Sequence, residues 1–320
     1  MGLSDSPVLV SIALATYNGG KYLPVLLDSL LAQTYPHLEI IAVDDRSTDN
    51  TRAILQQYSS LHPHIKVYVN ESNLGFVKNF EKAISLCNGE YIAMCDQDDY
   101  WLPQNIQRKV EAIGEYPMVY CDSFIADGNL EKTGKKISDA LVCKTFTNCL
   151  NYAVFSNVYG HAWMFRRSLY LSAPIFPLCM THDWWLAYHG ILNGGVKYLP
   201  EPLALYRQHT ENQYGVIGGG GIDKKTKKQR KKNKKKVNKQ KEVEDARKRI
   251  TLFYDICPND LQKEKRVLYD LKRSYSSFSL SNNFLRMITF FRNYKLLLAV
   301  RKRNTFRKYL FCLKMFVKLK

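Results

Sequence analysis

Two periods of apolar residues alternate along the first 120 positions. Residues 8–15 (VLVSIALA) form a short run rich in β-formers, which predicts a buried strand. Over 21–34 (KYLPVLLDSLLAQT) the apolar positions recur three and four apart, which predicts a helix. Pro24 falls in its first turn, where a missing N–H does no harm. The same reading predicts strands at 38–43, 65–70, 91–95 and 119–121, and helices at 47–58, 77–87 and 103–115. Ser47, Thr48 and Asp49 are capping candidates for the second helix, and Asn88-Gly89 closes the third.

This alternation means βαβ units and a mostly parallel sheet. Ligands of such sheets sit beyond the carboxyl ends of the strands. Polar residues follow the predicted strands: Thr16-Tyr17-Asn18, Asp44-Asp45, Asn73-Leu74-Gly75 and Asp96-Gln97-Asp98-Asp99. Periodicity is weak over 123–158. Beyond it, a strand at 159–165, a helix at 183–192 and a strand at 196–198 ended by Pro200 and Pro202 are predicted. The texture then changes. Gly215 and the glycines of 218–221 make a flexible stretch, and 224–241 holds 12 Lys/Arg and no acid. Residues 243–275 read as a charged helix, and 284–320 mix apolar residues with 11 Lys/Arg and no acid.

Charge sharpens this division. Residues 1–210 carry 16 Lys+Arg against 20 Asp+Glu, whereas 211–320 carry 31 against 9. The whole excess of +18 therefore lies in the last third, which suits an anionic surface, while the front does not read as a nucleic-acid binder. No stretch reaches the roughly 18 apolar residues of a membrane span, and 8–15 lacks the flanks of a secretory signal. Eight Cys without a CxxC pair indicate neither a disulfide framework nor a zinc site, although Cys179, His182 and His189 have a loosely metal-like spacing. A reducing, cytosolic setting fits. Met1-Gly2 with Ser6 matches only the bare myristoylation pattern.

Asp96-Gln97-Asp98 carries the most chemistry. Two carboxylates at i and i+2 after a strand can hold a hard divalent cation and leave positions for phosphate oxygens and water; the plainer reading is a turn decorated with acids. Asp44-Asp45 after a buried strand is costly unless something binds it. The alternatives are helix capping and acceptance of a nucleobase N–H.

The order T-Y-N, then D-D-x-S-x-D-x-T, then N-x-G, then G-E-Y-I-x-x-x-D-x-D-D resembles the family 2 glycosyltransferases of GT-A fold, over roughly residues 8–210. CDQDDYW also resembles bacterial members that build surface polysaccharides, rhamnosyltransferase-like ones among them. The resemblance implies roles by position. Asp45 would pair with a uracil or thymine ring, and Thr16 and Tyr17 would line the nucleoside. Asn73, Gly75 and Lys78 would approach the nucleotide. Asp96 would face the ribose or the metal, and Asp98 would coordinate Mg²⁺ or Mn²⁺ on the diphosphate. Arg46 departs from the family, which often has Gly there, and its Cβ predicts a negative φ. Ala15 departs where some members have a hydroxyl.

Inverting transfer needs one carboxylate to take the acceptor proton. Thr181-His182-Asp183-Trp184-Trp185 resembles the family's (E/H)-D pair at a helix start, with Asp183 as base; the plainer role is an N-cap. Trp184 and Trp185 are either core or an apolar platform for an acceptor sugar. Tyr206-Arg207-Gln208-His209 resembles a late segment near the diphosphate, with Arg207 suited to phosphate and His209 to phosphate or metal.

The expected organisation is a Rossmann-like GT-A domain over 1–212, a Gly-rich then Lys-rich linker over 213–242, and a basic helical extension over 243–320. The expected function is metal-dependent transfer from a UDP- or dTDP-sugar to a hydroxyl, on a glycan or lipid-linked acceptor in cell-surface polysaccharide synthesis. The basic third would meet an anionic membrane surface, which places the protein peripherally on the inner face of the cell membrane; nucleic acid is disfavoured because the Lys run has no aromatic residue for stacking. The rivals are a nucleotidyl or sugar-phosphate transferase, which would want a basic Gly-rich first loop, and a non-catalytic membrane- or RNA-binding protein.

Overall fold

In the computed structural model of the chain, the described residues are 7–157, 159–173, 175–209 and 224–317, with backbone alone for 224–239. The Met1-Gly2 pattern with Ser6, the glycine stretch of 215–221 and most side chains of the Lys-rich run lie outside them. The chain forms two compact units. The first takes residues 1–139, 143–145 and 158–215, and the second takes 140–142, 146–157 and 216–320.

The first unit is a mixed α/β sandwich around one sheet. Its opening elements are β1 (Val10–Thr16), α1 (Leu23–Leu31), β2 (Leu38–Asp44), α2 (Thr51–Leu61), β3 (Ile65–Val69), α3 (Phe76–Ser85) and β4 (Tyr91–Asp96). Then follow β5 (Tyr100–Trp101), α4 (Asn105–Ile113), β6 (Met118–Ala126), β7 (Lys132–Lys136), α5 (Ile137–Ala140), β8 (Trp163–Arg166), α6 (Arg167–Ser172), α7 (His182–Leu192) and β9 (Val196–Arg207). The sheet order is β3-β2-β1-β4-β8-β6-β9-β5, with β7 on β6. The first four strands are parallel, as the alternation predicts. Beyond β4 the sheet is mixed: β8 runs antiparallel to both β4 and β6, and β9 runs parallel to β6.

The core explains the continuous apolar runs. Ile12, Leu14, Ile41, Val43, Ile92 and Met94 are all fully buried, because helices cover both faces of the parallel strands. At the amino edge the backbones of β1 and the α3–β4 turn nearly touch. A Cβ on Gly89 would lie 2.6 Å from the Ser11 nitrogen and 2.7 Å from the Leu9 oxygen, so only glycine fits there.

One expectation fails. β9 is not ended by Pro200 and Pro202 but runs on to Arg207. Its pairing with β6 shifts register between Cys121 and Asp122 and again between Asp122 and Phe124. Prolines are tolerated at such bulges because no ladder N–H is required of them. The extension matters, since it carries Arg207 and His209 back to the end of β4.

The second unit is helical: α8 (Lys224–Ile256), α9 (Gln262–Tyr275), α10 (Leu280–Leu297) and α11 (Thr305–Lys314). Ile250, Phe253, Leu268, Leu271, Phe290 and Met315 form its core. Residues 146–157, whose periodicity is weak, pack here: Asn148 Nδ2 donates to Glu264 Oε1 at 2.8 Å, and Asn151 Nδ2 donates to the Leu296 carbonyl at 3.2 Å. Arg286 is fully buried and donates to the Met315 carbonyl at 2.7 Å and the Ser274 carbonyl at 2.6 Å, tying the ends of α11 and α9 to α10. Among the described residues no helix is long and apolar enough to cross a membrane.

His189 on α7 is 7% exposed, stands edge-on to Trp185 at 4.4 Å, and is pushed down to about 4 by burial. Its folded value lies below the unfolded one, so the unfolded chain binds more protons between pH 4 and 6.5 and stability is lost as pH is lowered through that window. Denaturant midpoints should therefore fall from pH 7 to pH 4.5 in the wild type by more than in His189→Phe. The variant recovers up to about 3 kcal/mol; equal acid sensitivity of the two proteins would contradict this.

Candidate active site

The carboxyl ends of the first strands are aligned by register. Thr16 pairs with Asp44, Ala15 with Asp96, and Asp44 with Val69. The two adjacent acids after β2 do different work. Asp44 is fully buried; its oxygens accept the Ser47 N–H at 2.8 Å, the Ser47 hydroxyl and the Thr16 hydroxyl at 3.1 Å. It holds the turn and uses up the Thr16 side chain. Asp45 accepts from Asn70 Nδ2 at 2.8 Å, the Leu74 N–H at 2.7 Å and the Gly75 N–H at 2.9 Å. Asn73 Nδ2 donates to the Asp45 carbonyl at 3.2 Å, so the 73–75 loop is folded onto the end of β2. A carboxylate offers about four acceptor positions, so one remains on Asp45. Lys78 pairs instead with Glu81 at 2.5 Å.

Arg46 corrects a prediction. Its φ is +63°, not negative. Hydrogen bonds on either side over-determine the left-handed backbone: the Asp45 N–H donates to the Thr16 carbonyl at 2.8 Å, and Ser47 is held by Asp44. The Arg46 guanidinium also donates to the Glu71 carbonyl.

The segment after β4 is crowded with acids. Asp96 is half-buried and pushed up to about 8 by burial, then by Asp98 and Asp183. Gln97 clamps the first-strand loop: its Oε1 accepts the Tyr17 N–H at 2.8 Å and its Nε2 donates to the Tyr17 carbonyl at 3.0 Å, leaving the Tyr17 ring half exposed. A Cβ on Gly19 would lie 2.2 Å from that Oε1, so this clamp requires glycine there. Asp98 Oδ2 lies 2.8 Å from His209 Nε2. Asp99 is fully buried; its Oδ1 accepts the Arg207 N–H at 3.0 Å, and its Oδ2 lies 3.6 Å from His161 Nδ1. His161 Nε2 meets the Ser123 hydroxyl at 2.9 Å, and burial followed by Lys109 pushes the imidazole down to about 3.

Arg207 is only 5% exposed. Its Nε donates to the Asp98 carbonyl at 2.6 Å and its Nη1 to the Gly128 carbonyl at 2.8 Å, so it braces the acidic turn. Its guanidinium covers Tyr22 at 4.6 Å, and the His209 ring lies against Tyr22 at 4.6 Å.

These side chains fit a divalent cation. Asp98 and His209 already converge, and donor atoms of Asp96, Asp99 and His161 lie within 4.8 Å of one another. Carboxylate oxygens with one imidazole suit Mg²⁺ or Mn²⁺. Burial first, and then the charges of Asp98 and Asp183, raise Asp96; a cation would relieve the repulsive part.

Asp183 sits in the first turn of α7, where its Oδ1 accepts the Trp184 N–H at 2.7 Å. Thr181, not Asp183, is the N-cap residue. The Asp183 charge raises both Asp96 and Tyr159, so it looks onto the acidic cluster. His182 is buried, stacked on Phe80 at 4.2 Å and edge-on to Phe76 at 6.0 Å. Gly160 leaves room beside it: a Cβ there would lie 3.4 Å from His182 Nε2 and 3.9 Å from Asp96 Oδ1. Trp185 is 2% exposed and belongs to the core, because α7 turns that face inward, whereas Trp184 is half-buried. Sequence reasoning assigned no role to Gln97, Asp99, His161 or Ser123. Asp99 was visible as the third acid of its segment; Ser123 begins the weakly periodic stretch, and His161 lies in the predicted 159–165 strand, whose pattern does not show which polar group it meets.

The sequence model described as "Glycosyl transferase family 2" matches residues 11–171. An uncharacterized glycosyltransferase of Nostoc is 31% identical over 233 residues, covering 69% of this chain and 71% of its own. An uncharacterized protein of Mycobacterium tuberculosis is 29% identical over 219 residues, covering 62% of this chain; this chain thus spans only 59% of that relative's length. Bacillus subtilis TuaG, named for teichuronic acid biosynthesis, is 39% identical over 107 residues, or 33% of this chain and 42% of its own. Among solved structures, Staphylococcus aureus TarS with UDP-GlcNAc superposes with TM-score 0.57 at 18% identity, over 97% of this chain and 91% of that one. A Pyrobaculum calidifontis mannosyltransferase with GDP-Man and Mn²⁺ gives 0.54 at 15% identity, over 97% and 86%.

Asp45→Asn turns an NH₂ toward donors that now meet a carboxylate. It should cost about 1–3 kcal/mol and lower the melting temperature. An unchanged melt would show that Asp45 does not hold the 73–75 loop.

Proposed function

The chain belongs to glycosyl transferase family 2, and from that premise we propose that its first unit transfers a sugar, with inversion, from a UDP- or dTDP-sugar to an acceptor hydroxyl. The observation that carries this reading is the acidic segment at the end of β4, where Asp98 meets His209 at 2.8 Å, Asp96 gathers with Asp99 and His161, and Asp96 feels the charges of Asp98 and Asp183. The remaining acceptor position on Asp45 suits the ring N–H of uracil or thymine. Tyr17, with half its ring exposed, would lie along the nucleoside, and Asn73 and Gly75 would close the loop beneath it.

Asp96, Asp98 and His209 would hold Mg²⁺ or Mn²⁺. The cation, when bound, supplies positive charge for the leaving diphosphate. Arg207 keeps the Asp98 backbone in place. The acceptor oxygen forms a bond to the anomeric carbon as the bond from that carbon to the diphosphate breaks. The electron pair leaves with the nucleoside diphosphate, and the acceptor proton passes to the Asp183 carboxylate. The Trp184 N–H donates to Oδ1 of that carboxylate and holds it in the first turn of α7. Trp184 is the acceptor-side aromatic of the pair, since Trp185 is packed inside.

A glycan or lipid-linked acceptor in surface polysaccharide synthesis is supported by what TuaG is named for and by the charge of the last third, which suits the anionic inner face of a membrane.

The test is turnover of UDP-, dTDP- and GDP-sugars with and without Mg²⁺ or Mn²⁺. One pyrimidine donor should be consumed only with metal, and Asp98→Asn should lose that dependence. Asp183→Asn should lower kcat by about 10²–10⁴ while donor affinity stays within about threefold. Turnover of no donor, or full activity in Asp183→Asn, would contradict the assignment.

A further inference from the structure

The last helix of the second unit is apolar on two faces. Phe311, Cys312 and Met315 turn inward, with Phe311 6.0 Å from Phe290 of α10. On the other face Phe306 is 69% exposed, Leu310 41%, Leu313 52% and Val317 67%. Phe306, Leu310 and Leu313 recur at i, i+4 and i+7, which lines them along one stripe of the helix, and Val317 lies in the turn that follows it. Arg307 and Lys314 are exposed and fall about a quarter-turn to one side of that stripe. An apolar stripe on a helix is ordinarily turned to a core; this one carries bulky exposed side chains in a row, where scattered single ones would need no explanation.

The same end of the unit holds more exposed apolar surface. Phe278, Leu280 and Phe284 are each more than half exposed. Arg286 lies 6.0 Å from the Phe278 ring and donates to the Met315 carbonyl, so Phe278 and the end of α11 are neighbours. Charge selects the occupant: no Asp or Glu follows Asp270, whereas 284–320 hold 11 Lys/Arg. An acidic aqueous partner would leave the aromatic and aliphatic stripe unsatisfied, and a neutral apolar partner would leave the bases unpaired. An anionic bilayer satisfies both at one depth, with the apolar stripe at the acyl boundary and the bases at the phosphates.

We propose that α11 is an interfacial helix whose stripe Phe306, Leu310, Leu313 and Val317 inserts into the surface of an anionic membrane, with Arg307 and Lys314 at headgroup level. This rests on the membrane-surface reading above and makes it specific: binding by the Lys-rich run alone would be superficial, while α11 enters the bilayer.

The test uses the full chain with vesicles of phosphatidylcholine alone or mixed with phosphatidylglycerol. The wild type should sediment with the mixed vesicles only. The exposed-site triple variant Phe306→Ser, Leu310→Ser, Leu313→Ser should lose about tenfold or more in partitioning with an unchanged melting temperature. Leu313→Trp should blue-shift its emission on mixed vesicles and be quenched by lipid brominated in the acyl chain. Sedimentation without blue shift or quenching, or undiminished partitioning of the triple variant, overturns insertion by α11 and leaves the membrane reading standing. No sedimentation with either vesicle overturns both. A concentration-dependent dimer abolished by the triple variant, with no vesicle binding, assigns the stripe to a second copy and overturns the proposal too.

Discussion

Like charges held close together in a poorly solvated place dominate this molecule. Asp96, Asp98 and Asp99 follow one strand, and Asp183 faces them from a helix start. Burial and mutual repulsion push Asp96 up to about 8. Such an arrangement persists only because the scaffold forces it. Arg207 braces the Asp98 carbonyl and the Asp99 carboxylate, Gln97 locks the turn to the first-strand loop, and His209 and His161 bring imidazoles to the oxygens. A divalent cation would turn this repulsion into attraction. The strain is thus explained by the same chemistry that would neutralise a departing diphosphate.

Much of this was legible in the sequence, for physical reasons. Continuous apolar runs and period-3.6 patterns located the first four βα units, because both faces of the parallel strands are covered. The carboxyl edge could then be read off as the polar residues that follow each strand. What was not legible depended on distant pairing. β9 runs through Pro200 and Pro202 because β6 offers bulges that only the folded sheet reveals. Arg46 adopts φ +63° because Asp44 and Thr16 fix its neighbours, an effect that composition cannot show. His161 lies in a short helical turn, Gly160–Ala162, where the pattern predicts strand, and only the folded sheet brings it to Asp99.

The division of the chain follows the same logic. Residues 146–157 have only a weak pattern of their own, since their order comes from α9 and α10. The second unit builds a core from few apolar residues and buries Arg286 with carbonyl partners at helix ends, where the backbone dipole is negative. Its surface bases have few local acids to meet.

The central claim is that the acidic cluster of the first unit binds nucleotide and cation as one unit. The most direct measurement is a calorimetric titration of UDP and dTDP into the protein with and without Mn²⁺. The account predicts that Mn²⁺ tightens one of them by about tenfold or more, a coupling of about 1.4 kcal/mol or larger. Equal affinity with and without the cation would contradict it.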